Sequence, residues 1–126
     1  MDPMKQTMQT FDDGRGLQIN TSNGYIVSIG IGGGHYCENH YKRFDAPRDA
    51  TSTMEVAIMR HKDHPEYNSD RIGSCDFVCL PGDVAAYVPV SVMGDIILAV
   101  ECNDWARVCF LCGDSEEDES KFPKKV

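Results

Sequence analysis

The chain has 126 residues, of which 41% are hydrophobic and 25% are charged, a balance that fits one globular domain and excludes a fibrous or wholly disordered protein. Twenty acidic and 12 basic residues give a net charge of -8, which argues against a general basic surface for nucleic acid and favours a basic partner. The longest apolar run, Ile96 to Val100, is far shorter than the roughly 20 residues of a membrane span. With no recognisable leader, we expect a cytoplasmic protein that does not enter membranes.

The first ten residues show no apolar periodicity. Met1 to Met4 is typical of an added start, and Lys5 to Thr10 has no pattern of a strand or helix. We therefore expect residues 1–10 to be a flexible N-terminus and residues 11–113 to form a single domain.

Two alternating segments joined by a tight-turn signal follow. Leu17–Thr21 and Tyr25–Ile31 alternate apolar and polar residues, and Asn23 and Gly24 between them tolerate the positive φ of a hairpin turn. This pattern predicts a β-hairpin. Residues 54–59 alternate again and predict a third strand.

The second half predicts two more strands and a helix. Residues 74–80 and 84–88 are short apolar segments bounded by turn signals. Residues 92–100 place apolar side chains three and four positions apart, which predicts a helix with Ser91 as its N-cap. A strand over residues 95–102 is the alternative, and residues 105–112 alternate well enough to predict the last strand.

These elements are segregated along the chain rather than alternating. They predict a small α+β domain in which an antiparallel sheet of about five strands packs against one apolar helix.

The cysteines and the C-terminal segment complete the outline. Six cysteines without a signal peptide predict buried thiols, above all where their neighbours are apolar: Cys75, Cys79, Cys102 and Cys109. Residues 114–126 begin with five carboxylates in six positions and continue with three lysines, so we expect a solvated tail. Its removal after Gly113 should leave stability nearly unchanged.

Several short motifs resemble a family of small tailed-phage proteins of unassigned function. The matching residues are Asn23-Gly24-Tyr25, Val27-Ser28, Gly32, Gly34, Tyr36-Cys37, Asn39, Glu55-Val56-Ala57, Gly82-Asp83-Val84 and Tyr87 to Val100. The resemblance departs at Met59 and Arg60, where the family carries a tryptophan, and Asn103 to Val126 has no counterpart. It implies a phage accessory protein that acts on its host by stoichiometric binding, in host takeover or anti-defence.

The segment His35 to His40 is the nearest approach to a metal or catalytic motif. Two imidazoles and the Cys37 thiol could hold zinc if His61 or His64 joined them, but the spacing is not a standard one and the sequence predicts no metal. Cys37 and His40 could form a nucleophile pair, yet nothing supplies an orienting group or an oxyanion hole. We therefore expect no enzymatic activity and no cofactor. The resemblance implies that Cys37 is a buried side chain packed against the glycine turn.

A glycine run precedes these residues. Gly32, Gly33 and Gly34 could bring backbone N–H groups close to an anion, but the lysine of a P-loop and a following helix are missing. The alternative function is an oligomeric sponge that sequesters a nucleotide-like signal. These glycines would bind the signal together with loop arginines, namely Arg43, Arg48, Arg60 and Arg71.

The leading hypothesis is an inhibitor of a host defence or nucleic-acid-processing protein. Its acidic, aromatic surface would resemble a nucleic-acid backbone to a basic host protein, without direct nucleic-acid binding and with homo-oligomerisation left open. The residues predicted to bind this partner are Tyr36, Glu38, Tyr41, Phe44, Asp45 and Asp49.

Overall fold

The computed structural model describes residues 3–41, 50–68, 75–113 and 119–124. Five strands form one antiparallel sheet whose spatial order follows the chain, and two helices come after it. The strands are β1 (Thr7–Phe11), β2 (Gly16–Asn20), β3 (Tyr25–Gly30), β4 (Thr53–Arg60) and β5 (Val84–Pro89), and the helices are α1 (Met93–Glu101) and α2 (Trp105–Leu111). The predicted α+β class and its five-stranded antiparallel sheet are confirmed.

The core lies between the sheet and the helices. Val27 and Ile29 of β3 are buried on the face that their alternation predicted, and β4 is buried along most of its length because it is paired on both sides. Ile96 and Val100 of α1 and Val108 of α2 pack into the same cluster. Removal of this apolar surface from water is the main force that joins the helices to the sheet.

The structure contains a strand that the sequence did not predict. Residues 7–11 pair with β2 in an unbroken register from Thr7↔Asn20 to Phe11↔Gly16, so the prediction that residues up to Thr10 lie outside the fold is wrong. Most of β1 is exposed, which is why it carries no apolar period. Backbone pairing, rather than burial, stabilises it.

The second helix corrects another prediction. Residues 105–112 do not form a strand, because Trp105, Val108, Cys109 and Cys112 are buried at the helical intervals of three and four positions. The Asp104 carboxylate caps this helix by accepting from the Arg107 N–H at 3.3 Å.

The predicted helix after β5 is confirmed as α1, and the alternative strand over residues 95–102 is wrong. The N-cap of α1 is Val92 rather than the predicted Ser91, and Ser91 lies in the 3₁₀ turn Val90–Val92. Neither helix in the described ranges is long and apolar enough to cross a bilayer.

The predicted strand over residues 74–80 is reduced to one bridge between Met59 and Phe77. Ser74 lies outside the described residues. Cys79 adopts a left-handed φ of 75°, which turns the chain away from β4, and its N–H donates to the Lys121 carbonyl at 2.8 Å.

The chain end is partly docked onto the domain. Phe122 packs against the core, and the Lys121 ammonium lies 2.5 Å from the Pro81 carbonyl and 3.1 Å from Asp83 Oδ1. The prediction of a wholly solvated tail is therefore wrong for residues 119–124, while residues 114–118 lie outside the described residues.

The cysteine predictions hold in part. Cys37, Cys79, Cys109 and Cys112 are buried free thiols, and Cys75 is partly buried. Cys102 is exposed because it lies in the turn between α1 and α2 rather than in a strand, so the prediction that it is buried is wrong.

Candidate partner-binding surface

The glycine run packs against the turn between β1 and β2. The N–H groups of Ile31 and Gly32 both donate to the Arg15 carbonyl, at 2.8 and 3.1 Å, and the Arg15 guanidinium donates to the Gly33 carbonyl at 2.9 Å. A Cβ added at Gly32 would lie 2.5 Å from Arg15 Cγ. Glycine is therefore needed here for a close approach of two backbone segments.

The thiol of Cys37 lies beneath this run. It is buried and donates to the Gly32 carbonyl at 3.7 Å, and burial raises its pKa above the ordinary thiol value. Buried Asn39 donates to the carbonyls of Ile31 and Ala50, at 3.2 and 3.3 Å. The expectation that Cys37 is packed against the glycine turn is confirmed.

His35 joins the loop to the sheet through two carboxylates. Its Nδ1 lies 3.5 Å from Glu55 Oε1, and its Nε2 lies 3.1 Å from Asp12 Oδ2, an ion-pair distance when the ring is protonated, although the direction does not meet hydrogen-bond geometry. The Phe11 ring meets the imidazole edge-on at 5.7 Å. Glu55 also accepts from the Tyr36 N–H at 2.7 Å, so one carboxylate positions two consecutive loop residues.

Glu38 fixes the loop to the segment before β4. Its carboxylate accepts from the Ser52 N–H and, at 2.8 Å, from the Ser52 hydroxyl, while its own N–H donates to Thr53 Oγ1 at 2.8 Å. The structure thus gives this predicted partner-binding residue an internal positioning role, although it remains exposed.

The loop and the adjacent strand β5 display a group of rings that we name the tyrosine surface: the exposed Tyr36, Tyr41 and Tyr87 and the half-buried His40. The tyrosines are 52%, 93% and 51% exposed, in chain order. The Tyr36 and His40 rings are stacked at 5.2 Å, and Tyr41 meets His40 edge-on at 4.7 Å. Contiguous exposed aromatic groups are typical of protein interaction sites.

Tyr87 belongs to β5 and was not among the predicted site residues. Its N–H donates to the Tyr36 carbonyl at 2.9 Å, and its φ of 54° lies in the left-handed region that large side chains avoid. The sequence signal was present but ambiguous, because a tyrosine within a short apolar run also fits a buried strand.

The remaining predicted residues divide between internal contacts and the undescribed segment. Gly32 and Gly33 are buried and Gly34 is exposed, and the Gly32 and Gly34 N–H groups donate to the carbonyls of Arg15 and His40. Five predicted residues lie outside the described residues: Arg43, Phe44, Asp45, Arg48 and Asp49.

The geometry of the loop does not assemble a metal or nucleophile site. His40 Nδ1 donates to the His35 carbonyl at 2.8 Å, while the Cys37 thiol donates to the Gly32 carbonyl. Within the described ranges, no group of three or more His, Cys, Asp or Glu residues is placed to hold a metal ion.

A separate cleft of about 1240 Å³ opens near the end of β4. Its arginine, Arg60, lies 3.2 Å from the carboxylate of buried Asp76. Burial first, and the Arg60 charge second, lower the pKa of His64 in the same cleft below its ordinary value of 6.5. Arg71, the other loop arginine, lies outside the described residues.

Comparison of the chain with models of known protein families, with curated proteins and with solved structures finds no match. The resemblance to small phage proteins therefore stays a prediction.

Proposed function

We propose that the protein acts by stoichiometric binding and that the tyrosine surface is where its partner docks. The observation that carries the proposal is the clustering of three tyrosines that are all more than half exposed. Tyr36 and Tyr41 lie on a loop held by internal hydrogen bonds, and Tyr87 lies on the strand β5 whose backbone donates to that loop. The partner we propose is a basic, nucleic-acid-processing or defence protein of a host, which is the role that the resemblance to phage accessory proteins implies.

The chemistry of tyrosine supports a binding role. A tyrosine ring offers a large apolar area and a hydroxyl at the cost of only two side-chain torsions, and such residues often dominate the free energy of binding at protein interfaces. Stacking on His40 restricts Tyr36 before a partner arrives. A loop ordered in advance loses less conformational entropy on binding.

The charge of the surrounding residues supports a basic partner. Asp12, Asp13 and Glu38 are exposed on the loop or on the turn beside it, within a chain of net charge -8. Unlike charges steer association and select against acidic partners, and salt screens both effects. Binding should therefore weaken markedly as ionic strength rises.

The loop fits binding better than catalysis. The candidate nucleophile of the loop, the Cys37 thiol, is buried, and burial raises its pKa above the ordinary thiol value, which favours the protonated, unreactive form at neutral pH. The hydrogen bond from this thiol to the Gly32 carbonyl explains its conformation as a packing contact.

A pull-down from bacterial lysate tests the proposal. Wild-type protein at low salt should retain a basic protein in stoichiometric amount, and the Tyr36→Ala, Tyr41→Ala double variant should lose it. The matched control is Leu98→Ala with Phe110→Ala, because these side chains are also exposed but lie on the helices. Equal retention by all three proteins, or no basic partner at low salt, would contradict the proposal.

The alternative function, capture of a nucleotide-like signal, has weaker support. Two of the three glycine N–H groups that it needs already donate to internal carbonyls, and Arg60 is paired with Asp76. We expect no thermal shift with a panel of cyclic nucleotides. A shift that persists in the double tyrosine variant would favour this alternative instead.

A further inference from the structure

Strand β1 is an open edge of the sheet. It pairs with β2 on one side only, and Thr7 to Thr10 are exposed. From Gln6 to Phe11 the sequence carries no charge and no proline, and the register with β2 shows no bulge. Charged side chains, prolines and bulges are features by which natural sheets prevent edge-to-edge pairing, and β1 has none of the three.

The same edge is held in place before any partner arrives. The Met4 N–H donates to the Ser22 carbonyl at 2.7 Å, and Gln6 Nε2 donates to Glu101 Oε1 at 2.5 Å. A strand that is already extended and anchored loses little conformational entropy when it pairs.

The side chains of β1 show which pairing the edge can accept. Met8 and Thr10 stand opposite Ile19 and Leu17, which pack against the core, so they point to the helix side of the sheet. Met8 is nevertheless 68% exposed, because nothing in the described part of the chain continues the sheet beyond it. Another strand beside β1 would cover this apolar side chain.

We propose that β1 pairs antiparallel with β1 of a second copy of this chain, around a twofold axis at Gln9, so that two sheets become one of ten strands. Directly opposed residues of antiparallel strands share a face of the sheet. The proposed register places Gln9 opposite Gln9 and Met8 opposite Thr10, and therefore keeps the helix-side residues of both copies together.

Charge complementarity favours a second copy as the occupant. Lys5 precedes β1, and Asp12 and Asp13 lie in the turn that follows it, so an antiparallel pairing brings the basic start of each strand to the acidic end of its partner on both sides of an uncharged centre. A parallel pairing would instead bring like charges together. Such a self-complementary patch is what a twofold interface requires.

Sedimentation velocity over a concentration series tests the proposal. Wild-type protein should approach twice the 14.0 kDa of one chain as concentration rises. Gln9→Lys should shift it to the monomer, because two lysines would then face each other across the axis. The matched control, Gln18→Lys, places the same charge on the same face one strand inward and should still dimerise.

Circular dichroism of both variants establishes that they are folded before the masses are compared. A wild-type protein that stays monomeric at every attainable concentration would overturn the proposal. So would a dimer that Gln9→Lys leaves intact, because its interface would then lie elsewhere. Neither result would affect the tyrosine surface, which is made by other residues.

Oxidative cross-linking tests the register. In a Cys102→Ser background, which removes the exposed native thiol, Gln9→Cys should form a symmetric disulfide-linked dimer on exposure to air with a copper catalyst. Lys5→Cys should not, since the antiparallel register places the two copies of residue 5 at opposite ends of the paired strands. Efficient cross-linking at residue 5 and none at residue 9 would refute the twofold axis at Gln9.

Discussion

The two outer strands of the sheet, β1 and β5, differ in how their outward-facing backbone is satisfied. β5 has a register shift against β4, ends in Pro89, and gives the Tyr87 N–H to the loop carbonyl of Tyr36. β1 is regular, uncharged and uncovered. The comparison indicates that a register shift and a covering loop protect the β5 edge, while the regular β1 edge is left free to pair with another strand.

The loop that covers β5 also packs closely against the turn between β1 and β2, and we expect disruption of this packing to have the largest effect. Gly32→Ala places a Cβ 2.5 Å from Arg15 Cγ and 3.1 Å from its backbone Cα, so backbone as well as side chain must shift. The free energy of unfolding should fall by about 3 kcal/mol, measured by urea denaturation. Gly82→Ala, whose Cβ would meet its nearest neighbour at 3.8 Å, is the control and should cost little.

Cys37→Ser should have the next largest effect. It replaces a buried thiol by a more polar hydroxyl and should lower the free energy of unfolding by about 2 kcal/mol. Thermal unfolding followed by circular dichroism measures it. Cys102→Ser, at an exposed thiol, serves as the control, and equal losses in both variants would contradict the packing role.

Alkylation compares the same two thiols without mutation of the loop. Because burial raises the pKa of Cys37, iodoacetamide at neutral pH should modify exposed Cys102 much faster than Cys37. Peptide mass mapping over time gives the two rates. Rapid, stoichiometric labelling of Cys37 in the folded protein would revive the reading of this residue as a nucleophile.

At the β1 edge, Glu101 anchors the segment that leads into β1. We expect it to make a smaller, pH-dependent contribution to the free energy of unfolding. Burial acts to raise the pKa of Glu101, but hydrogen bonds from Ser22 and Gln6 outweigh it and hold the pKa below its ordinary value of 4.5. The resulting stability is present above pH 4.5 and is lost as pH falls through the folded-state pKa.

Glu101→Gln should therefore cost less than about 1 kcal/mol at neutral pH, since solvent screens this partly exposed group. It should also flatten the acid side of the stability profile, measured by thermal unfolding from neutral to acid pH. A profile that keeps its full acid slope in the variant would show that other carboxylates govern it.

Gln9→Lys should have the smallest effect on folding and a decisive effect on association. The side chain is exposed, and its Nε2 donates to Gln18 Oε1 at 3.2 Å. We expect the free energy of unfolding of the monomer to change by less than about 0.5 kcal/mol. Denaturation at low concentration and sedimentation at high concentration separate the two effects.

Local patterns determined a large part of this protein in advance. The alternation on both sides of Asn23 and Gly24 predicted the hairpin of β2 and β3, and the spacing of apolar residues predicted α1. Cys37 was correctly placed in the core, and Tyr36 and Tyr41 were correctly placed on the surface. In these segments the period of burial matches the period of the backbone, so the sequence is sufficient.

Tertiary structure alone decided the rest. β1 buries almost nothing and exists because β2 offers it a partner. Residues 119–124 adopt their position because the Lys121 carbonyl accepts from the Cys79 N–H and the Lys121 ammonium donates to Asp83. A short apolar run such as residues 105–112 fits either a helix or a strand. Packing against the core decides that this run forms the helix α2. Tyr87 reaches the tyrosine surface through a long-range hydrogen bond to Tyr36, a contact between residues 51 positions apart that no local pattern encodes.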